Sequence, residues 1–367
     1  MIYFLINNNY HLHLDMQLAK QLPEFELGLI QIPYSLNAVE KSDLFHKIYY
    51  YPDRLVASIK DLVANPSKIT SITKKADSEL IPQKHDVLLV HTEMDLLNQH
   101  IIKKFYKAGS KIFLVEDGIA TVCHYNMVSN KISFKENFRK FLLKYFYSFN
   151  YLRFQKYGVQ TLPEMKDFIF KGVIVNHGDS IKRNIPLYKL KSVEEPIKFL
   201  DQNGVIFFSQ PLYIWFLTEK EYVGYIDDLL SVASHFSIFY FKFHPSDNEN
   251  VKNYIIKIIE DKYPNVVVLH ENSIAENIIE KYPVKYAITF NSTAALNLIN
   301  RGVVPIFIND MFSKIYPLDS SEAFGQFLKS INCHSPSDLN DIKPGFVAFS
   351  TDENDQKKYS LIDIIKK

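Results

Sequence analysis

Cysteine occurs only twice in the 367 residues, at Cys123 and Cys333. Two thiols cannot build a disulfide framework or a zinc ribbon, and they fit a reducing compartment. Glycine is scarce, at 11, which excludes collagen-like and Gly-rich linker architectures. Charge of one sign is missing as well. Lys and Arg number 42 against 41 Asp and Glu, a net of +1, so no global basic field points to nucleic acid. No apolar run approaches the roughly 18 residues that a spanning helix needs. The apolar start Ile2–Ile6 stops at Asn7-Asn8-Asn9, too short for a signal h-region and with no basic residue before it. A soluble cytoplasmic protein is the expectation.

What is present is an ordinary globular composition. Hydrophobic residues make up 47% and charged residues 23%, enough apolar surface to bury a sizeable core and exclude general disorder. Aromatics are abundant, with 28 Phe and 23 Tyr but a single Trp. The length exceeds what one compact domain usually holds.

Short apolar runs of strand length recur between longer stretches with helical spacing. The first half offers Ile2–Ile6, Leu27–Ile32, Val87–Val90, Lys111–Val115 and Val173–Val175. The second half offers Val205–Phe208, Ile238–Phe243, Val266–Leu269, Tyr286–Phe290 and Val303–Ile308. Amphipathic stretches such as Tyr222–Ala233 and Val251–Ile259 separate them. Alternation of this kind means α/β architecture, parallel sheets with crossover helices. Two such sets predict two doubly wound domains with a cleft between them, where strand ends bind ligands. The polar stretch Lys191–Asn203, with Glu194-Glu195-Pro196, marks the boundary. The expected division is 1–195 and 196–367, with the last helix free to pack back on the first domain.

One segment stands apart. Lys131–Tyr157 carries seven basic residues (Lys131, Lys135, Arg139, Lys140, Lys144, Arg153, Lys156) among many Phe and Tyr, with Glu136 its only acid. It reads either as a helix with an aromatic core side and solvated lysines, or as a surface for an anionic membrane or acceptor.

Three short motifs follow predicted strands. Glu116-Asp117-Gly118 follows Lys111–Val115; a carboxylate there can take a proton from a hydroxyl nucleophile, or the triplet can be an acidic turn. His244-Pro245 follows Ile238–Phe243. The proline disfavours helix at His244 and fixes the ring at the strand tip, where imidazole can donate to phosphate. Asn291-Ser292-Thr293-Ala294-Ala295 follows Tyr286–Phe290; its hydroxyls can cap a helix, bind phosphate, or both. Ser209-Gln210-Pro211 forms a further strand tip, and Ser273-Ile274-Ala275-Glu276 opens a helix. Asn7–Asp15 reads as the loop after the first strand on the acceptor side, or as residues capping the next helix; Tyr10, His11 and His13 read equally as surface or core.

An acidic pair with Gly, then His-Pro, then Ser-Thr, in this order along most of the chain, resembles the bacterial sialyltransferases, which share D/E-D/E-G, HP and S/ST motifs. The likeness is greatest to the lipooligosaccharide sialyltransferase and polysialyltransferase groups, although the acidic pair here is Glu-Asp rather than Asp-Asp. The resemblance implies a GT-B fold of two Rossmann-like domains. It also implies an inverting transfer of sialic acid or a related nonulosonic acid from a CMP-activated donor to a glycan hydroxyl in capsule or lipooligosaccharide synthesis. It maps the base to Glu116, with Asp117 the second choice, the leaving-group histidine to His244 beside Pro245, and the phosphate hydroxyls to Ser292 and Thr293. It makes Glu276 the ribose candidate; Ser209 and Gln210, at their own strand tip, are further donor-side candidates. No cofactor beyond the donor and no metal is expected, because the sequence lacks a plain Asp-x-Asp; Glu93-Met94-Asp95 is the nearest match and falls on an expected helix. Lipid-linked acceptors would place the protein in the cytoplasm, at most peripheral to the inner membrane. Two alternatives stand beside this. One is a GT-B transferase using a Kdo, legionaminic, pseudaminic or UDP-sugar donor. The other is a degenerate, non-catalytic glycan-binding subunit.

Overall fold

A computed structural model gives the fold. It describes residues 1–32, 43–52, 66–92, 95–123, 169–178, 185–192, 195–214, 216–271, 273–311, 319–349 and 358–366, with single positions 63, 138, 141 and 142. The strands, in chain order, are β1 (Ile2–Ile6), β2 (Leu27–Gln31), β3 (Lys47–Tyr50), β4 (Val87–Val90), β5 (Lys111–Val115), β6 (Gly172–Val175), β7 (Leu187–Leu190), β8 (Asp201–Phe208), β9 (Phe239–Lys242), β10 (Val266–Leu269), β11 (Val284–Thr289), β12 (Val304–Phe307) and β13 (Lys358–Tyr359). The chain forms two compact units, Met1–Val193 with Gln356–Lys367, and Glu194–Asp355.

The first unit holds an eight-stranded sheet in the order β13-β7-β6-β5-β4-β1-β2-β3, parallel at every pairing. Its middle strands read IYFLI, VLLV and KIFLV and are buried almost throughout, as strands covered on both faces must be. The second unit holds five parallel strands in the order β10-β9-β8-β11-β12. Both sheets are doubly wound: the first strand of each lies inside the sheet, and later strands are added on either side of it. The α/β class and the two Rossmann-like doubly wound units expected from the sequence are therefore present.

The crossover helices start where short polar side chains can accept the free amides of a first turn. Asn8 caps Asn9–Ala19 by accepting from His11 N, so the stretch after β1 is a helix and not a loop. Asp95 caps Leu96–Ala108, which places the only described member of the Glu93-Met94-Asp95 triplet at a helix start. Thr218 and Glu221 form a capping box on Glu219–Leu230, and Asn248 caps Glu249–Lys262. Glycine has a specific task inside β8. A Cβ on Gly204 would stand 2.7 Å from Val284 Cγ1, where the β8–β11 register shifts.

Strands β3, β7 and β13 have no counterpart in the sequence reading. They lie toward the edges of the first sheet, and β3 is mostly exposed, so no long apolar run announces them. Of the basic aromatic segment Lys131–Tyr157, all but Phe138, Phe141 and Leu142 lies outside the described residues. No described helix is long and apolar enough to cross a membrane. Both cysteines are buried, and burial pushes the Cys333 thiol up to about 12.

Candidate active site

In a doubly wound sheet the ligand crevice opens at the carboxyl ends of the strands, where the winding reverses. In the first unit that point lies between β1 and β4, with the β5 tip next to it. Glu116 and Asp117 leave β5, and Gly118 follows at φ 100°, a backbone that L side chains rarely adopt. The glycine turns the chain into the short helix Ile119–Val122 and so fixes where the two acids end. Glu116 is 1% exposed; its Oε2 accepts the backbone N–H of Asn176 at 2.7 Å. The Asp117 side chain is 27% exposed and bonded by His11 Nε2. His11 is itself fully buried, and its Nδ1 accepts the N–H of Asn7 at 3.2 Å. A ring nitrogen that accepts carries no hydrogen, so the hydrogen of neutral His11 sits on Nε2 and is donated to Asp117. The Asn8 amide nitrogen, 3.2 Å from Nε2, then makes a contact and not a hydrogen bond. Burial holds the His11 pKa below its ordinary value, although Asp117 opposes this.

In the second unit the winding reverses between β8 and β11, with β9 on the far side of β8. Gln210 follows β8 and Asn291 follows β11, and the two bond reciprocally across that point. Gln210 Nε2 donates to Asn291 Oδ1 at 2.9 Å, and Asn291 N donates to Gln210 Oε1 at 2.8 Å. Ser292 Oγ accepts Ala294 N at 3.2 Å as an N-cap, which leaves its own hydrogen available to a ligand. At the β9 tip, His244 Nδ1 accepts Ser246 N at 3.1 Å, so the hydrogen of the neutral ring sits on Nε2. Burial lowers the His244 pKa, with Asp247 pulling the other way. Pro245 beside it is exposed. A pocket of about 250 Å³ opens here, lined by Lys242, Phe243, His244, Lys252, His270 and Glu271 among others. The tip is held by Asp247, 5% exposed. Its Oδ2 accepts Ser209 Oγ–H at 2.6 Å and His244 N at 2.8 Å, while its Oδ1 accepts Tyr213 O–H at 3.2 Å.

The structure thus gathers Ser209, Gln210, His244, Pro245, Ser292 and Thr293 at three adjoining strand ends of the second unit. Glu116 and Asp117 stand together at the corresponding end of the first. Glu276 takes a different position. It is 3% exposed in the helix Ala275–Lys281, and its Oε1 accepts from Asn297 Nδ2 at 3.0 Å. Sequence reasoning missed Asp247 and Tyr213, and left His11 undecided. An acid three residues after the histidine, in His-Pro-Ser-Asp, was the available signal for Asp247. Among the described residues no three or more His, Cys, Asp or Glu side chains group as a metal site.

No family model matches the chain, and no curated protein matches it by sequence. Its fold is similar to that of several solved structures. MurG of Acinetobacter baumannii is 10% identical, with 94% of this chain and 87% of that one covered, at a TM-score of 0.43. The UDP-GlcNAc 2-epimerase of Methanocaldococcus jannaschii is 10% identical over 90% and 92%, at 0.45. The spinosyn forosaminyltransferase SpnP is 10% identical over 90% of each chain, at 0.44. Likeness at this level assigns no role to any residue here.

Proposed function

We propose that the protein is a glycosyltransferase of the GT-B kind, moving sialic acid or a related nonulosonic acid from a CMP-activated donor to a glycan hydroxyl, with inversion and without a metal. The observation that carries this reading is the placement of the three motifs. Glu-Asp-Gly ends β5 in one doubly wound unit, and His-Pro and Ser-Thr end β9 and β11 in the other. The order matches the sialyltransferase pattern, and every motif falls at the strand end where such sheets bind ligands.

The base we assign is Asp117. Its carboxylate reaches the surface, whereas Glu116, the first choice from sequence, is buried and bonded to the Asn176 amide. Asp117 takes the proton of the attacking hydroxyl as the new bond forms at the anomeric carbon and the bond to phosphate breaks. The departing CMP phosphate gathers negative charge. His244 offers Nε2–H, and Ser292 and Thr293 offer hydroxyls, as fixed donors to it. With Nδ1 tied to Ser246 N, His244 acts as a neutral donor and not as an imidazolium acid.

Ligand-induced stabilisation tests the donor class, because a ligand that binds only the folded state must raise the melting temperature. CMP is expected to raise it and UMP and UDP are not. Transfer from CMP-linked acids, against Kdo, legionaminic, pseudaminic and UDP-sugar donors in a panel, then fixes the donor. A shift with UDP and none with CMP overturns the reading, and a CMP shift with no transfer from any donor points to the non-catalytic subunit.

A further inference from the structure

Behind Asp117 lies a group of buried ionisable side chains that the transfer reading leaves without a task. His91, at the end of β4, is 0% exposed and is held at both ring nitrogens. Its Nδ1 lies 3.2 Å from the backbone carbonyl oxygen of Glu116, and its Nε2 lies 2.9 Å from Oδ1 of Asp15. Asp15, on the helix after β1, is 0% exposed as well. The His11 ring lies flat on the His91 ring, with centroids 4.2 Å apart and planes 14° apart, and its far nitrogen holds Asp117.

The hydrogens follow from the partners. A carbonyl oxygen only accepts, so His91 Nδ1 carries a hydrogen and donates it to the acidic tip. Asp15 and His91 share one proton between them, and the pair is neutral overall wherever that proton rests. Burial raises Asp15. For His91 burial acts downward, but the Asp15 carboxylate, Asp117 and the Glu116 carbonyl together outweigh it and the net direction is up. His11 is neutral, so the stack sets no two cations face to face. No hydrogen lies between stacked faces, and a proton therefore cannot pass from His11 to His91. The group is a clamp and not a wire. An apolar set of the same volume would avoid the desolvation that these side chains bear, so packing alone does not account for them.

We propose that Asp15, His91 and His11 are positioning residues for Asp117. His91, oriented by Asp15, pins the backbone of the acidic tip through the Glu116 carbonyl. His11, seated on the His91 ring, pins the Asp117 carboxylate itself. The proposal deepens the transfer reading and rests on it for the role of Asp117.

His11→Phe keeps a ring to stack on His91 and removes the donor to Asp117; His11→Gln keeps an N–H. In His11→Phe kcat is expected to fall by about 10²-fold, the cost of a misplaced reacting group. CMP binding should stay unchanged, and His11→Gln should return kcat toward the wild-type value. A kcat unmoved in His11→Phe overturns the proposal. A second readout needs no substrate. ¹⁵N-histidine NMR of the full chain should show His11 as the neutral Nε2–H tautomer, with Asp117→Asn shifting that Nε2 signal. If the wild type transfers no sugar while these signals hold, the transfer reading fails and the clamp stands. A hydrogen on Nδ1 of His11, or no response to Asp117→Asn, overturns the clamp whatever the activity.

Discussion

Removing the Asp247 carboxylate should loosen the donor tip by a calculable amount. Asp247 is 5% exposed and accepts three hydrogen bonds, from Ser209 Oγ at 2.6 Å, His244 N at 2.8 Å and Tyr213 OH at 3.2 Å. A hydrogen bond to a charged group contributes about 1.5–3 kcal/mol, and a buried donor left unmade costs about as much. The two short bonds alone give about 3–6 kcal/mol for Asp247→Ala. Two fallbacks reduce this. His244 N also points at Ser209 Oγ, 3.2 Å away, and the hydroxyl of the half-buried Tyr213 can rotate toward water. The net expectation for alanine is about 3 kcal/mol. Asp247→Asn keeps one oxygen for Ser209 and His244 N. Its amide hydrogens then face Tyr213, whose oxygen already accepts Asn248 N at 2.7 Å and can accept again. Only the charge is lost, so the cost should be about 1 kcal/mol. Urea denaturation of the full chain, followed by a probe in the second unit, measures both variants. CMP binding should weaken in the same order, because His244 N is one of the released donors. The reasoning is refuted if alanine and asparagine cost the same, or if both lie within about 0.5 kcal/mol of wild type, the range of an ordinary surface change.

Asp117→Asn should remove about 10²- to 10⁴-fold of turnover while sparing CMP binding; near wild-type turnover would return the base to Glu116. Gly118→Ala forces a side chain onto a φ of 100° and should cost about 1–3 kcal/mol of stability, read by thermal denaturation, with activity falling further because the acids shift. His244 titrates below its unfolded value of about 6.5, so the native state binds fewer protons than the unfolded one. Its contribution is complete above that pH and is lost as pH falls toward the folded pKa; His244→Gln should flatten this acid slope, and an unchanged slope would refute the protonation assignment. Transfer should persist in excess EDTA, since the donors assigned to the phosphate are protein groups; loss that a divalent ion restores would contradict the metal-free mechanism.

The apolar strands were legible because a parallel strand covered on both faces must be apolar at nearly every position. Strands such as Ile2–Ile6 and Lys111–Val115 accordingly match to the residue. Strand β3 was not, because at the sheet edge the sequence KIYY can leave its side chains exposed. The motifs were legible because Gly118 and Pro245 punctuate the chain where strands end. Their supports were not. Asp15 and His91 are 76 residues apart and meet only through the β1–β4 pairing. Asp247 and Tyr213 are 34 apart and meet only through β8 and β9. A lone buried histidine such as His11 carries no sequence mark, because the partner that gives it a task is Asp117, 106 positions away.

The two units use the same device at their strand tips. In the first, Glu116 is buried and accepts the N–H of Asn176, which follows the neighbouring strand β6. In the second, Asp247 is buried and accepts the N–H of His244, which follows β9. Both carboxylates satisfy backbone amides that end a strand where water is excluded, and an unmade bond there would be costly. Each stands beside a more exposed group, Asp117 in one case and His244 in the other. Glu116 is 1% exposed and tied to the Asn176 amide, so it meets a substrate hydroxyl only if it swings out and loosens the tip it holds. On the proposed transfer, that argues for dividing the labour: Glu116 and Asp247 would keep the tips rigid, while Asp117 and His244 would act on the substrates. Glu116→Gln, which retains an oxygen for Asn176, should therefore be milder than Asp117→Asn in turnover, whereas two interchangeable acids would give equal losses.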